Sequence, residues 1–302
     1  MTGSRRLAAG VLAALCLVAC RDDADGSATD RRPVLLPGMV QPASTNADAT
    51  PPAVPFDSST PRLIARAAAS WPHDTSAYTQ GLTIDRGRLL ESTGLEKHSE
   101  LREVDRQTGR VLHHVALPND VFGEGIAVAG DRLYQLTWRG GRGYVYDART
   151  LALVDSVSYA GEGWGLASDG QRLYFSDGSS EIRVIDPNGF REQRRIRVTE
   201  AGKPVWMLNE LEVVRGELWA NIYETNLVAR IDPATGQVVG WVDLGTLLTA
   251  AERTDVAARG GVANGIAYDS TRDVVLVTGK LWPRMFEIDL HSLTGSALGA
   301  VH

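Results

Sequence analysis

The sequence predicts an all-β protein, a five-bladed β-propeller with four-stranded antiparallel blades, in which an N-terminal strand completes the last blade. Three observations lead to this prediction. Between residues 62 and 302 one phrase occurs five times, each copy reads as part of a four-stranded unit, and the last copy lacks chain for its outer strand. Units of this length that contain strands alone are typical of propeller blades.

The repeated phrase reads as a strand, a tight turn with Gly or Asp, and a second strand. Its copies begin 40 to 55 residues apart, and they are QGLTIDRGRLLESTG, EGIAVAGDRLYQLTW, WGLASDGQRLYFSDG, NELEVVRGELWANIY and NGIAYDSTRDVVLVTGK. A third alternating segment ending in Asp follows each copy, and a turn then leads to a fourth strand such as RVLHHVAL. Four strands per copy predict one blade per copy.

The closure of the ring is predicted from the two ends of the repeat region. Little chain follows the fifth copy, whereas RLIARAAASWPHD at 62–74 resembles the fourth-strand segment RVLHHVALPND at 110–120. We therefore expect the N-terminal strand to complete the fifth blade, which removes free sheet edges and joins the two ends of the chain. The insertion 246–261, before the last blade, is expected to be helical or mobile.

The first residues carry signals for export. Arg5 and Arg6 precede a short apolar run at 7–18, which is the pattern of a secretory signal peptide. The run ends in LVAC, which resembles the bacterial lipobox, so we expect lipid attachment at Cys20. A plain secreted protein with an incidental cysteine is the alternative.

These signals define the expected organisation and location of the chain. We expect a lipoprotein signal peptide at 1–19, a flexible tether at 20–61 that is rich in Asp, Ala, Thr, Ser and Pro, and the propeller domain at 62–302. The protein is then expected in the bacterial cell envelope, facing the periplasm or the exterior, with the membrane contacted only through the lipid anchor. A monomer is expected.

Composition excludes several partners and cofactors. The net charge of -6 and the absence of a basic block give no indication of nucleic acid binding. Cys16 leaves with the signal peptide, so the mature chain has no cysteine pair for a disulfide. The six histidines have no metal-ligand spacing, and we expect neither a metal nor a required cofactor, with a structural calcium ion left open. Glu210 and Glu212 share a strand face that could hold a cation, although a hydrogen-bonding role is favoured.

The candidate site comes from two aligned columns of the repeat. The first residues of the five copies are Gln80, Glu124, Trp164, Asn209 and Asn264. The ends of the second strands are Gly94, Trp138, Gly178, Tyr223 and Lys280. Because the start of one strand lies beside the end of the next in an antiparallel hairpin, both columns should line one mouth of the central channel. The varied side chains there, next to an almost invariant Gly-Leu/Ile, indicate a binding or catalytic site.

Six phrases in order resemble the plant-type glutaminyl cyclases, the glutamine cyclotransferase family that also occurs in bacteria. They are YTQGL, VFGEGI, WGL, NELE, VANGIAYD and TGKLWP. The resemblance runs from about Leu63 to the C-terminus. It implies a five-bladed β-propeller, which agrees with the repeat count, and conversion of the N-terminal glutamine of peptides or proteins to pyroglutamate with release of ammonia.

The resemblance also assigns roles to residues of this chain. The family's catalytic glutamate falls on Glu124, which is expected to shuttle a proton from the attacking amine to the departing ammonia, with Lys280 and Asn209 as catalytic partners. The residues expected to bind the substrate are Gln80, Tyr78, Phe122, Trp138, Trp164 and Tyr223. Two of them, Tyr78 and Tyr223, stand where the family pattern has Phe and Trp, and each keeps an aromatic face while adding a hydroxyl group.

Two other functions remain open at this point. The first is a non-catalytic envelope lipoprotein that binds peptides or a protein partner, in which Glu124 only recognises an amine. The second is a metal-dependent lactonase or esterase, which is less favoured because the first column offers one carboxylate instead of several metal ligands.

Overall fold

Five mainly antiparallel sheets surround a central channel in the computed structural model, which describes residues 59–290. The signal peptide, Cys20 and the tether as far as residue 58 lie outside the described residues, and their assignments stay predictions. Among residues 59–290 no helix is long and apolar enough to cross a membrane.

Each of these five sheets is one blade, and its strands follow one another along the chain from the channel outwards, except that two N-terminal strands form the outer edges of the last two blades. Two strands precede the first blade: β1 (Arg62–Ile64) and β2 (Ala67–Pro72). Blade I contains β3 (Thr79–Asp85), β4 (Arg88–Thr93), β5 (Glu100–Val104) and β6 (Val111–Ala116). Blade II contains β7 (Gly123–Ala129), β8 (Arg132–Thr137), β9 (Arg142–Asp147) and β10 (Leu153–Ser158). Blade III contains β11 (Leu166–Ser168), β12 (Leu173–Phe175), β13 (Glu181–Asp186) and β14 (Arg191–Arg197).

The remaining elements complete the ring. A small hairpin follows blade III, formed by β15 (Thr199–Glu200) and β16 (Lys203–Pro204). Blade IV contains β17 (Leu208–Val214), β18 (Glu217–Ile222), β19 (Leu227–Ile231) and β20 (Val238–Asp243). Helix α1 (Ala250–Ala258) lies inside the insertion that was expected to be helical or mobile. Blade V contains β21 (Ala263–Asp269), β22 (Val274–Gly279) and β23 (Arg284–Asp289).

The N-terminal segment closes the ring, as predicted, and it also adds a strand to blade IV. Strand β2 pairs antiparallel with β23 and becomes the outer strand of blade V. Strand β1, which the sequence prediction merged with β2, instead pairs parallel with β20 and gives blade IV a fifth strand. Ala65 marks the crossing between the blades, where its N–H donates to the carbonyl of Asp243 at 2.9 Å. One short segment therefore joins two neighbouring blades.

Hydrophobic side chains fill the spaces between the blades. Five buried clusters lie between neighbouring blades, one at each of the five junctions around the ring. Leu90 and Leu133, for example, are fully buried between blades I and II. The outer strands β6, β10 and β14 are largely exposed, whereas the middle strands β4, β5, β8 and β9 are buried along almost their whole length. Burial of both faces of the inner strands fixes their position around the axis.

Close backbone contacts between inner strands explain the glycine that follows the first column. A Cβ atom on Gly125 would lie 2.5 Å from the amide nitrogen of Leu166, and one on Gly165 would lie 2.0 Å from the carbonyl oxygen of Asn209. No real Cβ contact is that short, so these positions require glycine. The glycines let neighbouring blades approach through their backbones at the level of the candidate site.

Candidate functional site

The two predicted columns meet at one end of the channel. In blades I and II the pairs Thr79 with Thr93 and Gly123 with Thr137 place the start of the inner strand beside the end of the second strand. The strand register shifts at the column position in blades I, II, IV and V. Such bulges turn a side chain away from the regular alternation. At these bulges the column side chains need not follow the alternation of faces along their own strands.

Gln80 links the predicted acid–base residue to the predicted lysine. The Lys280 Nζ donates a hydrogen bond to the Gln80 Oε1, and the Gln80 Nε2 donates to the Glu124 Oε1 at 3.5 Å. All three side chains are fully buried although they come from three different blades. Gln80 lies 44 residues from Glu124 and 200 residues from Lys280 along the chain. The fold brings the three side chains together, as the alignment of the repeats predicted.

The Lys280 ammonium group lies between two tyrosine rings. Its Nζ is 4.7 Å from the ring centre of Tyr78 and 5.8 Å from that of Tyr223. Burial lowers the pKa of Lys280 to about 7, against the opposing effect of the negative charges of Glu124 and Glu210. Aromatic faces stabilise a cation that has lost its water. The amino group can therefore be present in either protonation state near neutral pH.

We expect Lys280 to titrate near pH 7 in the native protein. The chain has three lysines, Lys97, Lys203 and Lys280, so 13C-labelled lysine gives three side-chain signals. The exposed Lys97 and Lys203 serve as references, and Lys280→Arg identifies the third signal. A midpoint close to the ordinary 10.5 for that signal would contradict the burial argument.

The lowered pKa of Lys280 also predicts how the contribution of this residue to the free energy of unfolding changes with pH. The native pKa of Lys280 lies below the ordinary 10.5, so the unfolded chain holds this proton more tightly between about pH 7 and 10.5. The contribution of Lys280 to the free energy of unfolding therefore rises with pH across that window, and its unfavourable effect is complete below about pH 7.

Asn209 brings an unsatisfied carboxamide into the site. Neither its Oδ1 nor its Nδ2 has a hydrogen-bond partner among the described residues, although the residue is fully buried. Its backbone is fixed, since Ser176 donates a hydrogen bond from Oγ to the Asn209 carbonyl at 2.6 Å. A buried amide without partners costs about 1–3 kcal/mol. Such a group is well suited to a ligand that supplies both an acceptor and a donor.

Aromatic rings surround these polar groups in two arcs. The first arc joins Tyr78, Phe122 and Trp138, whose successive ring centres are 6.1 and 5.6 Å apart. The second joins Trp164 to Tyr223 at 5.6 Å. We call these five rings the aromatic belt, and all were predicted to bind the substrate. Trp138 is its one partly exposed member.

The glycines of the second column make room for two rings of the belt. A Cβ atom on Gly94 would lie 2.3 Å from the Phe122 ring, and one on Gly178 would lie 2.7 Å from the Trp164 ring. These two column positions therefore support the pocket without contributing a side chain to it.

Glu162 is a residue of the site that the sequence prediction missed. Its Oε2 accepts hydrogen bonds from the indole nitrogens of Trp138 at 3.0 Å and of Trp164 at 3.1 Å. It therefore connects the two arcs of the aromatic belt. A signal was present in the sequence, because Gly-Glu-Gly at 161–163 repeats the Gly-Glu-Gly at 123–125 and directly precedes Trp164.

A second missed group is a buried ionic network that supports the backbone beside Gln80 and Lys280. His73 contacts the Trp282 carbonyl at 2.8 Å and the Glu91 carboxylate at 3.0 Å. Glu91 also accepts from Thr79 at 2.7 Å and from Arg102 at 3.0 Å. Burial alone would lower the pKa of His73, but Glu91 raises it above its ordinary 6.5. Thr79 directly precedes Gln80, so the network fixes one side of the site.

Two further carboxyl groups lie along the same channel. Glu210 takes the place of the repeat glycine in blade IV and accepts from the amides of Leu82 at 3.3 Å and Ile266 at 2.9 Å. Burial raises the pKa of Glu210 well above its usual range, and it raises that of Glu212 to about 8. A cavity of about 270 Å³ is lined partly by Glu212 and Asp85. None of the predicted site residues lines it, so this cavity is not the predicted site.

The remaining predictions on ligands concern metals. No group of three or more His, Cys, Asp or Glu side chains that could hold a metal ion occurs among residues 59–290.

Asn264, which the sequence analysis placed in the first column without a catalytic role, donates from Nδ2 to the Thr79 carbonyl at 3.0 Å. It bonds blade V to blade I beside the site.

A family model, a plant relative and a solved structure all indicate the same enzyme family. The family described as "Glutamine cyclotransferase" matches residues 38–290, starting upstream of the resemblance found in the sequence. A glutaminyl-peptide cyclotransferase from Arabidopsis thaliana is 40% identical over 225 residues, which are 74% of this chain and 70% of the plant protein. The crystal structure of Myxococcus xanthus glutaminyl cyclase matches with a TM-score of 0.69 and 36% identity, covering 76% of this chain and 97% of that one.

Proposed function

The chain belongs to the glutamine cyclotransferase family, and from this we propose that it is a glutaminyl-peptide cyclotransferase in which Glu124 carries the proton. The enzyme takes peptides or proteins with an N-terminal glutamine and releases ammonia and a pyroglutamyl product. The observation that supports this assignment most is the buried chain of hydrogen bonds from Lys280 through Gln80 to Glu124.

The reaction requires two proton movements, one at the attacking nitrogen and one at the departing nitrogen. The α-nitrogen of the substrate forms a bond to its own side-chain amide carbon, and the bond from that carbon to the amide nitrogen breaks. The amine must lose a proton as it attacks, and the departing nitrogen must gain one to leave as ammonia. A single carboxylate can accept the first proton and deliver the second, which gives Glu124 both roles in sequence.

Negative charge develops on the amide oxygen during the attack. Lys280 in its protonated form and the free carboxamide of Asn209 provide donors for that oxygen. Because both side chains are buried, their hydrogen bonds to the oxyanion are stronger than they would be in water. Gln80 bridges the two groups, since its Oε1 accepts from Lys280 and its Nε2 donates to Glu124.

The aromatic belt supplies the apolar walls of the pocket. The reaction joins two groups of one molecule, so an enclosed pocket that folds the glutamine side chain towards its own amine provides a large part of the rate enhancement. The ammonium group of Lys280 lies against two rings of the belt, which places the oxyanion donor at the wall of the pocket.

The test is an assay of the full chain with a short peptide that begins with glutamine. We expect ammonia release and a product that has lost one ammonia by mass spectrometry, well above the spontaneous rate. The same peptide with an acetylated α-amine is the control, because it cannot cyclise. Binding of the free peptide without turnover would contradict the proposal and favour the non-catalytic envelope lipoprotein.

A further inference from the structure

One carboxylate holds both tryptophans of the pocket. The Glu162 Oε2 accepts from Trp138 at 3.0 Å and from Trp164 at 3.1 Å, and its Oε1 lies 3.9 Å from the Arg139 Nε. The Arg139 guanidinium in turn lies 3.8 Å from the centre of the Trp138 ring. The carboxylate is therefore tied to one exposed cation and to two indole N–H groups. The side chain of Glu162 is 17% exposed.

The backbone around Glu162 is held in one conformation. Gly161 has a φ of +82° and Gly163 is so crowded that a Cβ atom would lie 2.7 Å from the Tyr159 hydroxyl. Tyr159 itself donates to the carbonyl of Thr137, which directly precedes Trp138, at 2.7 Å. The connection between blades II and III thus places the carboxylate at a fixed point between the two indoles.

Glu162 links the two arcs of the aromatic belt at their tryptophan end, whereas Lys280 lies between Tyr78 and Tyr223 at the other end. Trp138 and Phe122 are in ring contact, and so are Trp164 and Tyr223, but no ring contact joins Trp138 to Trp164 among the described residues. A hydrogen bond to a charged acceptor is about twice as strong as one between neutral groups. Two such bonds to one oxygen atom fix the rotation of both indole planes.

We propose that Glu162 is a positioning residue, which sets the width of the aromatic pocket by holding the indoles of Trp138 and Trp164. This inference rests on the proposed function, because the pocket is taken to bind the N-terminal glutamine. Glu162 contacts the walls of the pocket and takes no part in proton transfer. Its loss should therefore weaken substrate binding and leave the chemical step largely unchanged.

Blade IV offers a matched control. Glu217 accepts from the indole nitrogen of Trp219 at 3.3 Å and is bound by Arg230 at 2.7 and 2.8 Å. The Arg230 guanidinium also lies over the Trp219 ring at 5.9 Å. This is the same arrangement of glutamate, indole and arginine, but Trp219 belongs to the core between blades IV and V.

The experiment compares Glu162→Ala, Glu162→Gln and Glu217→Gln in the full chain. We expect Glu162→Ala to raise KM for a glutamine-initiated peptide about ten- to a hundredfold, with kcat changed less than threefold. Glu162→Gln keeps an acceptor oxygen and should show a smaller rise, whereas Glu217→Gln should leave both constants unchanged. An unchanged KM in Glu162→Ala, or a loss confined to kcat, would overturn the proposal.

An independent readout separates this inference from the proposed function. The seven tryptophans give seven indole N–H signals in NMR spectra, and two of these should move together in Glu162→Ala. Variants Trp138→Phe and Trp164→Phe identify them. If the native protein does not turn over the peptide, the proposed function fails, and the dissociation constant of the peptide then takes the place of KM. Unmoved indole signals would refute the positioning role whatever the activity.

Discussion

Glu124→Gln is expected to lower kcat for a glutamine-initiated peptide by about 10²–10⁴-fold and to leave the fold intact. The amide that replaces the carboxylate has nearly the same shape and can still bond to Gln80, so the buried surroundings remain filled. It cannot accept a proton from the attacking amine. The measurement is the steady-state rate of ammonia release, together with a thermal unfolding curve that checks the fold.

The control for this variant removes a different carboxylate from the same fold. Glu103 lies on β5 and pairs with Arg88 at 3.3 Å, outside the candidate site. Glu103→Gln should keep the native kcat within a factor of two. If Glu124→Gln retained more than a tenth of the native kcat, Glu124 would not be the proton carrier, and the role of Lys280 would have to be reconsidered.

Glu124→Gln also distinguishes the enzyme from a peptide-binding lipoprotein. An enzyme without its proton carrier should still bind the uncyclised peptide, because the aromatic belt and Asn209 are unchanged. In a binding protein the carboxylate would recognise the amine directly, so the same substitution would abolish binding. The dissociation constant of the variant therefore separates the two functions.

Gly165→Ala is expected to reduce the free energy of unfolding by about 3 kcal/mol or more and to abolish activity. The new Cβ atom would lie 2.0 Å from the carbonyl oxygen of Asn209 and 2.8 Å from the Cα of Glu210. Both contacts are with backbone, which cannot rotate away as a side chain can. The inner strands of blades III and IV must separate, and this moves Asn209 out of the site.

The matched substitution is Gly240→Ala on β20, far from the channel. Its nearest neighbours would lie 3.5 Å away, which is ordinary van der Waals contact. That variant should be unchanged in stability or gain up to about 1 kcal/mol. Urea unfolding of both variants measures the difference. Equal stabilities would show that the inner strands can separate freely, against the close packing described above.

The sequence predicted much of the fold because a propeller repeats its local pattern. Five copies of one phrase, each with strand alternation and turn residues, specify five blades, and the missing outer strand of the fifth copy specifies the closure by β2. The division of 62–74 into two strands in different blades was not predicted. Parallel pairing of β1 with β20 depends on a sheet edge that other parts of the chain create.

The site was predicted in part for the same reason. The column positions are fixed by the hairpin register, so alignment of the repeats was enough to group Glu124 with Lys280. Glu162 and His73 lie in connections between repeat units, where no column exists to align them. Their roles depend on contacts with indoles and a carboxylate that are distant in sequence.

The chain by itself therefore determined the number of blades, the end of the channel that carries the candidate site, and the residue types gathered there. Only the tertiary structure decided which of these groups touch: that Gln80 bonds to both Lys280 and Glu124, that the Asn209 carboxamide has no hydrogen-bond partner among residues 59–290, and that one glutamate holds two indoles. The physical reason is that strand periodicity and turns are local properties, whereas burial and hydrogen bonding between blades exist only once the ring has closed.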